Sequence, residues 1–235
     1  IVVIPLSFTN SVFLQFGPEM KFFSFETWSF NFDGYGIRWY KEMFGICSEN
    51  SGTTVCTDRW MIGFKNSAII AIFATFFASV LGTLAALGLS NRHMPFNRLI
   101  MALMISPMIV PLIITAAGMF FFFAKVNLVA TLPGLIIAHT ILGIPFVVIT
   151  VSASLSGFDN NLLRAASSLG GTPLRNFFKI QAPLIAPGVI AGGLFAFITS
   201  FDEVVIVLFV GGPDQYTLPR QMWSGIRNEI SPTIL

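Results

Sequence analysis

Two adjacent acidic residues, Asp202 and Glu203, stand inside an otherwise apolar run over 197–206. An acidic residue at the centre of a membrane helix costs about 2.5–3.5 kcal/mol on insertion scales. Neighbouring helical positions point about 100° apart, so at least one carboxylate must face protein or water. We expect a cation-attracting wall in a translocation pathway. The structural alternatives are pairing with an arginine, with backbone amides at a helix break, or with a partner subunit.

A single histidine, His139, also lies within an apolar run. An imidazole there could relay protons or contact a substrate. A hydrogen bond between two helices is the more usual role of a polar side chain in a membrane bundle, and we expect that role here.

The only cysteines, Cys47 and Cys56, flank a polar, hairpin-like stretch of eight residues. In an oxidising compartment they are expected to form a disulfide, which stabilises so short a loop by roughly 2–3 kcal/mol. Two unpaired thiols are the alternative.

The sequence lacks the common motifs of nucleotide hydrolysis, nucleophilic catalysis and metal binding. There is no Gly-x-x-x-x-Gly-Lys-Ser/Thr phosphate loop, no nucleophile motif and no cluster of metal ligands. We therefore expect no catalytic residue, no metal site and no cofactor in this chain, which by itself is not an enzyme.

The composition indicates an integral membrane protein. Of 235 residues, 54% are hydrophobic and 10% are charged, with a mean hydropathy of +0.79, whereas soluble domains carry about 25% charged residues. The net charge of +2 is small and scattered, which argues against a nucleic-acid partner.

The apolar runs predict an all-α, polytopic membrane protein. A run of about 20 residues suffices to cross the hydrocarbon core, and the complete runs of that length are 66–91, 99–124, 132–154 and 184–211. Residues 1–7 are interpreted as the end of a truncated first helix, and 231–235 as the start of a largely absent last one, giving about six. Bends are expected in the second span at Pro107, Pro111 and Gly118. The tail 212–230 is amphipathic, with Trp223 placed as an interfacial anchor.

The basic residues predict the orientation. The short loops 91–98 and 155–183 carry five Lys or Arg and one acid, Asp159. By the positive-inside rule these loops are cytoplasmic, so residues 8–65, with both cysteines, are periplasmic. The disulfide expectation agrees with this orientation.

The segment 159–183 predicts two short helices joined by a turn. Asp159 can cap the first helix, and Gly170-Gly171 can end it in a left-handed conformation. Thr172 can cap the second helix, with Pro173 at its first position.

One face of the first helix is suited to docking on another protein, because Leu162, Ala166 and Leu169 share it and small Ala165 lies beside them. The residues that we predict to make this contact are Leu162, Arg164, Ala165, Ala166, Leu169, Gly170 and Pro173.

The same segment carries a family resemblance. Its spacing of Ala165-Ala166, Gly170, Ile180 and Ala182-Pro183 resembles the EAA loop, the cytoplasmic coupling loop of ABC-importer permeases. Arg164 stands where that family usually has Glu, and Ala182 where it usually has Leu. The resemblance implies the type I ABC importer permease fold, with residues 66–235 as the transmembrane core and 159–183 as the loop that contacts an ATPase.

The C-terminal part resembles permeases of the spermidine/putrescine importer group. The segments that carry this resemblance are Ser200-Phe201-Asp202-Glu203, Gly211-Gly212-Pro213, Thr217-Leu218-Pro219, Trp223-Ser224-Gly225-Ile226-Arg227 and Ser231-Pro232-Thr233. The resemblance implies a small, cationic, amine-bearing solute. Asp202 and Glu203 suit protonated amines, and Phe201 or Trp223 could add a cation–π attraction of roughly 0.5–2 kcal/mol.

The resemblance also implies partners. They are a pair of cytoplasmic ABC ATPase subunits that carry ATP and magnesium, a second similar permease chain, a periplasmic substrate-binding protein and the lipid of a bacterial inner membrane. Relatives of the group carry opines, amino-acid-like compounds, phosphonates or thiamine, which stay open as alternative solutes. From other classes, the alternatives are an ion-coupled transporter or channel using Asp202, Glu203 and His139, and a non-transporting scaffold or receptor.

Overall fold

A computed structural model describes residues 23–24, 29–30, 59–91, 94–159 and 161–228. The predicted Cys47–Cys56 disulfide and the predicted partial helices at 1–7 and 231–235 lie outside them. Two strands, β1 (Phe23–Ser24) and β2 (Ser29–Phe30), pair antiparallel with Phe23 opposite Phe30.

The other regular elements of the described chain are all helices, as the all-α prediction requires. The helices are α1 (Arg59–Leu89), α2 (Asn97–Ile109), α3 (Leu112–Lys125), α4 (Leu132–Ser156), α5 (Asn161–Ser168), α6 (Pro173–Asn176), a π-helical segment (Phe177–Gln181), α7 (Ala182–Asp202), α8 (Val205–Val210) and α9 (Leu218–Asn228). They fall into a larger unit, Ser67–Gln215, and a smaller unit formed by the residues before 67 and after 215.

Three helical stretches are long and apolar enough to cross a membrane: Arg59–Leu89, Leu132–Ser156 and Pro173–Asp202. The pair α2 and α3 meets the same test when its two helices are taken together, although they meet at 104°. With that pair counted as one broken span, the described residues contain four candidate spans at the places that the sequence predicts, although the helix of the fourth ends at Asp202. The first begins earlier than predicted, at Arg59.

The second span is broken at one of the three predicted bends, at Pro111, whereas Pro107 and Gly118 lie within continuous helices. Val110, which precedes Pro111, is extended with φ −70° and ψ 137°, because a proline disfavours helical backbone at the residue before it. Pro107 stays inside α2. Its missing amide frees the Leu103 carbonyl, and the Ser106 hydroxyl donates to that carbonyl at 2.8 Å. Gly118 lies inside α3.

Glycines bring the central helices close together, as expected for membrane bundles. Helix α4 packs along α7, and a Cβ on Gly192 of α7 would lie 2.7 Å from the Val147 Cα. A Cβ on Gly143 would lie 3.0 Å from the Cβ atoms of both Ala78 and Ala196. Substitution by a larger residue at either glycine would push α4 and its neighbours apart.

The core of the larger unit has two buried clusters. One joins α1, α4 and α7 through Ala78, Val147 and Ala196, among others. The other joins α1, α3, α4 and α8, with Ile206 and Val210 of α8 fully buried. The short helix α8 is therefore held by side-chain packing, although it is only six residues long.

Candidate functional site

The predicted fourth span, 184–211, consists of two helices and not of one. Helix α7 ends at Asp202, Glu203 is extended with φ −75° and ψ 123°, and α8 begins at Val205. The acidic pair therefore marks a break between two helices. The run contains no proline or glycine between 194 and 210, so the usual signals of a break are missing from the sequence.

Glu203 caps the helix that follows the break. Its Oε1 atom accepts hydrogen bonds from the amides of Val205, at 2.5 Å, and Ile206, at 3.1 Å. The residue is only 8% exposed. The first amides of a helix have no partner within it, and a carboxylate at that position satisfies them and opposes the positive end of the dipole. For Glu203 the geometry corresponds to the structural alternative of backbone amides at a helix break.

Asp202 has a different environment from its neighbour. It is the last residue of α7, and its side chain is exposed. Within the described residues, no side-chain hydrogen bond or ion pair engages its carboxylate. The carboxyl end of a helix carries a partial negative charge, which adds to the charge of the carboxylate. Together they form a place that attracts a cation.

The predicted aromatic residues are divided between the two units. Phe201 is half-buried and stacks on Phe197 at 5.8 Å between ring centroids, so an aromatic pair lies on the last turn of α7 beside Asp202. Trp223 is on α9, in the smaller unit. Its contact with a substrate stays a prediction.

His139 makes the helix–helix hydrogen bond that the sequence predicts. Its Nδ1 atom lies 2.9 Å from the Ser200 hydroxyl, so the imidazole of α4 holds the last turn of α7. Both residues are buried, and among the described residues the Nε2 atom has no hydrogen-bond partner. Ser200 was not predicted as a partner, because nothing in the sequence indicates which helix faces His139.

The capping signals of the coupling loop, residues 159–183, are confirmed. Asp159 Oδ1 accepts a hydrogen bond from the Asn161 amide at 2.9 Å. Gly170 has a φ of +81°, the left-handed conformation predicted for the end of α5. Thr172 Oγ1 accepts from the Arg175 amide at 3.4 Å, and Pro173 is the first residue of α6.

The second helix of the coupling loop is not separate from the span, contrary to expectation. After one turn, α6 continues through the π-helical segment into α7, and the Ala182 amide bonds to the Phe177 carbonyl, five residues back. Pro183 follows directly and has no amide to donate to the Lys179 carbonyl. The wider π turn accommodates this loss next to the proline, so the helix can continue.

Asn176, which was not predicted as a site residue, joins the two parts of the loop. Its buried side chain donates to the Ser167 hydroxyl at 3.1 Å and to the Gly171 carbonyl at 3.4 Å. Gly171 has no room for a side chain: a Cβ would overlap the Asn176 amide and lie 2.8 Å from the Ala166 carbonyl. Gly171 is therefore required for close approach, and Gly170 for backbone conformation.

The predicted docking face is open. Leu169 is 89% exposed, Leu162 is also exposed, and Ala166 is half-buried between them. Arg164, Ala165, Gly170 and Pro173 are exposed as well. Leu174 and Phe178, which were not predicted, add exposed apolar surface to the same loop. Several exposed apolar side chains on one polar loop are typical of a protein contact site.

Comparison with known proteins identifies the family. Residues 61–235 match the family described as binding-protein-dependent transport system inner membrane component. The chain is 30% identical over 206 residues to the spermidine/putrescine transport system permease protein PotC of Escherichia coli K12, covering 88% of this chain and 76% of PotC. It is 33% identical over 210 residues to the putrescine transport system permease protein PotI of the same strain, covering 86% of this chain and 70% of PotI.

A solved structure shares the fold. The chain superposes on a chain of a bacterial ABC transporter involved in the import of the acidic polysaccharide alginate, with a TM-score of 0.69 and 13% sequence identity. The superposition covers all of this chain and 81% of the other. At this identity the likeness concerns the fold alone. The predicted permease fold is thereby confirmed.

The predicted resemblance and the predicted transport function are confirmed as well. The apolar helices and the family match agree on a multi-pass protein of the inner membrane. Such a permease works with an ATPase and a substrate-binding protein. This chain therefore belongs to the family of inner membrane components of binding-protein-dependent transport systems, the permease subunits of ABC importers.

Proposed function

We propose that this chain forms part of the translocation pathway for a polyamine-like solute, a small flexible molecule with two or more protonated amines. The observation that carries the proposal is the exposed Asp202 carboxylate at the carboxyl end of α7. The names of the relatives PotC and PotI, which are spermidine/putrescine and putrescine permeases, support the same solute class.

In this proposal the two acidic residues have different roles. The Glu203 carboxylate accepts hydrogen bonds from the amides of Val205 and Ile206, so Glu203 stabilises the break between α7 and α8. Asp202 contacts the passing amine, and charge-assisted hydrogen bonds to it contribute about 1.5–3 kcal/mol each. Phe201, stacked on Phe197, offers a ring face for cation–π attraction beside it.

The driving force comes from partner subunits. We propose that a pair of cytoplasmic ATPase subunits, which bind ATP and magnesium, docks on Leu162, Leu169 and the exposed residues around them. Closure of the ATPase pair moves α5 and, through Asn176, the continuous helix from Pro173 to Asp202. Movement of the coupling loop thereby tilts this helix as a rigid body and displaces the acidic residues at its end. The tilt shifts the population between inward-open and outward-open states.

The remaining parts of the assembly are proposed from the family. A second, similar permease chain completes the pathway, and a periplasmic binding protein delivers the solute. The coupling loop faces the cytoplasm of a bacterial cell, and residues 8–65 face the periplasm.

The test measures uptake of labelled spermidine in cells that lack other polyamine importers and express this chain with its partners. We expect uptake to require the chain, and to be inhibited by putrescine but not by a neutral diol of the same length, because the diol lacks the charge that Asp202 attracts. Equal inhibition by the diamine and the diol, or no uptake of spermidine, would rule out a polyamine-like solute.

A further inference from the structure

Helix α9 separates apolar and cationic residues around its circumference. Leu218, Met222 and Ile226 repeat every four residues and form one stripe, and Trp223 lies beside it. Arg220 and Arg227, seven residues apart, lie together on the next edge. The helix contains no acidic residue. Its polar residues, such as Gln221 and Ser224, occupy the remaining face.

The apolar face of α9 points away from the unit that contains it. Met222, Trp223 and Ile226 are 37%, 47% and 53% exposed, whereas Gln221 and Ser224 are half-buried. A helix on a water-facing surface does the opposite and buries its apolar stripe. This reversed arrangement indicates that the medium around the exposed face of α9 is apolar.

The beginning of α9 is fixed on the first turns of α1. The Asn66 side chain donates to the Tyr216 carbonyl at 2.9 Å. Gly63 allows the chain at Thr217 and Leu218 to approach closely, since a Cβ there would lie 3.4 Å from the Leu218 nitrogen. These turns of α1 also expose the apolar side chains Met61, Ile62 and Phe64. Because α1 is long and apolar enough to cross a membrane and exceeds the length that the hydrocarbon core requires, we place its first turns at the membrane interface.

We propose that α9 lies in the membrane interface and binds the headgroups of anionic phospholipids through the exposed Arg227. The apolar stripe enters the acyl boundary, and cations next to such a stripe reach up to the headgroup phosphates. The charge of Arg227, on a helix without acidic residues, complements an anionic headgroup. Arg220 is held in place over the Tyr216 ring, with its Cζ 4.3 Å from the ring centroid. Trp223 is thereby assigned to lipid and not to the substrate.

The test measures tryptophan quenching in the full chain, reconstituted with its co-purifying subunits into vesicles of equal parts phosphatidylglycerol and phosphatidylcholine. Only one of the two lipids carries bromine in each preparation. The Trp223→Phe variant is the blank, so that the difference between it and the unmodified chain reports Trp223 alone. We expect brominated phosphatidylglycerol to quench Trp223 more strongly than brominated phosphatidylcholine. Aqueous iodide should quench the fluorescence of Trp223 only weakly.

Substitutions test whether the preference for the anionic lipid depends on the charge of Arg227. An arginine near an anionic surface contributes about fivefold in association, so Arg227→Gln should lower the ratio of the two lipid association constants about fivefold. Arg227→Lys, which keeps the charge, should restore it. Arg98→Gln, which removes one exposed charge from α2, should leave the ratio unchanged. Quenching of Trp223 by iodide and not by bromolipid would mean that a protein or water covers α9. That result, or an equal preference for the two lipids, or an Arg227→Gln variant without effect, would overturn the proposal.

Discussion

The Gly171→Ala substitution tests whether Asn176 joins the two parts of the coupling loop. The new methyl group would overlap the Asn176 side chain and lie 2.8 Å from the Ala166 carbonyl, so the asparagine must move. Asn176 then loses its hydrogen bonds to Ser167 and Gly171. At about 0.5–1.5 kcal/mol each, the two bonds contribute roughly 1–3 kcal/mol to the local stability of the loop.

Hydrogen exchange of the α5 amides measures this local stability. A loss of roughly 1–3 kcal/mol corresponds to an exchange rate that rises about 5- to 150-fold. Uptake should fall in parallel while the chain still inserts into the membrane, because α5 is no longer held to the helix that leads to Asp202.

A double-mutant cycle separates this mechanism from a general loss of stability. In the Asn176→Ala background the hydrogen bonds are already absent, and the side chain that the new methyl group would overlap is gone. Gly171→Ala should therefore reduce the local stability of the loop much less in that background. Gly170→Ala is the matched control. A Cβ on Gly170 has no neighbour within 4 Å, and its cost comes from the left-handed backbone. That cost should be the same in both backgrounds, and Gly170→Asn should be milder because asparagine tolerates this conformation. Equal costs of Gly171→Ala in both backgrounds would refute the role given to Asn176.

Two further predictions concern the packing of α4 against α7. Gly192→Val should lower the free energy of unfolding, measured by denaturation in detergent, by about 1–3 kcal/mol, because the valine overpacks against Thr150 and the Val147 backbone. The control is Gly118→Ala, which should be neutral or stabilising because a Cβ there meets nothing within 4 Å. Equal effects of the two substitutions would contradict the close packing at Gly192. Ser200→Ala should cost about 0.5–2 kcal/mol, since it leaves both nitrogens of the buried His139 ring unpaired. An unchanged unfolding midpoint for Ser200→Ala would contradict that account.

Local signals explain what the sequence predicted well. The caps at Asp159 and Thr172 and the left-handed Gly170 depend on residues within a few positions, so a pattern is enough to find them. The apolar spans depend only on length and composition. Glycines are typical of close contacts between membrane helices, and Gly192 lies at one.

Other features depend on individual side-chain contacts, some of them between residues that are distant in the sequence, and a local pattern does not predict them. Pro107 and Pro111 look alike in the sequence, but the outcome at Pro107 depends on the Ser106 hydroxyl replacing the lost amide. The break at Glu203 carries no proline or glycine signal, and its cause is a side chain that caps the next helix. Asn176 and Ser200 act through tertiary partners, at Ser167 and His139.

The most direct test of the central claim is a comparison of Asp202→Asn with Glu203→Gln in spermidine uptake. The account predicts that Asp202→Asn raises KM about 10- to 100-fold with unchanged stability, because it removes the charge that meets the amine. Glu203→Gln keeps an oxygen that accepts from Val205 and Ile206, so its KM should change little. A large rise in KM for Glu203→Gln together with normal uptake by Asp202→Asn would contradict the assignment.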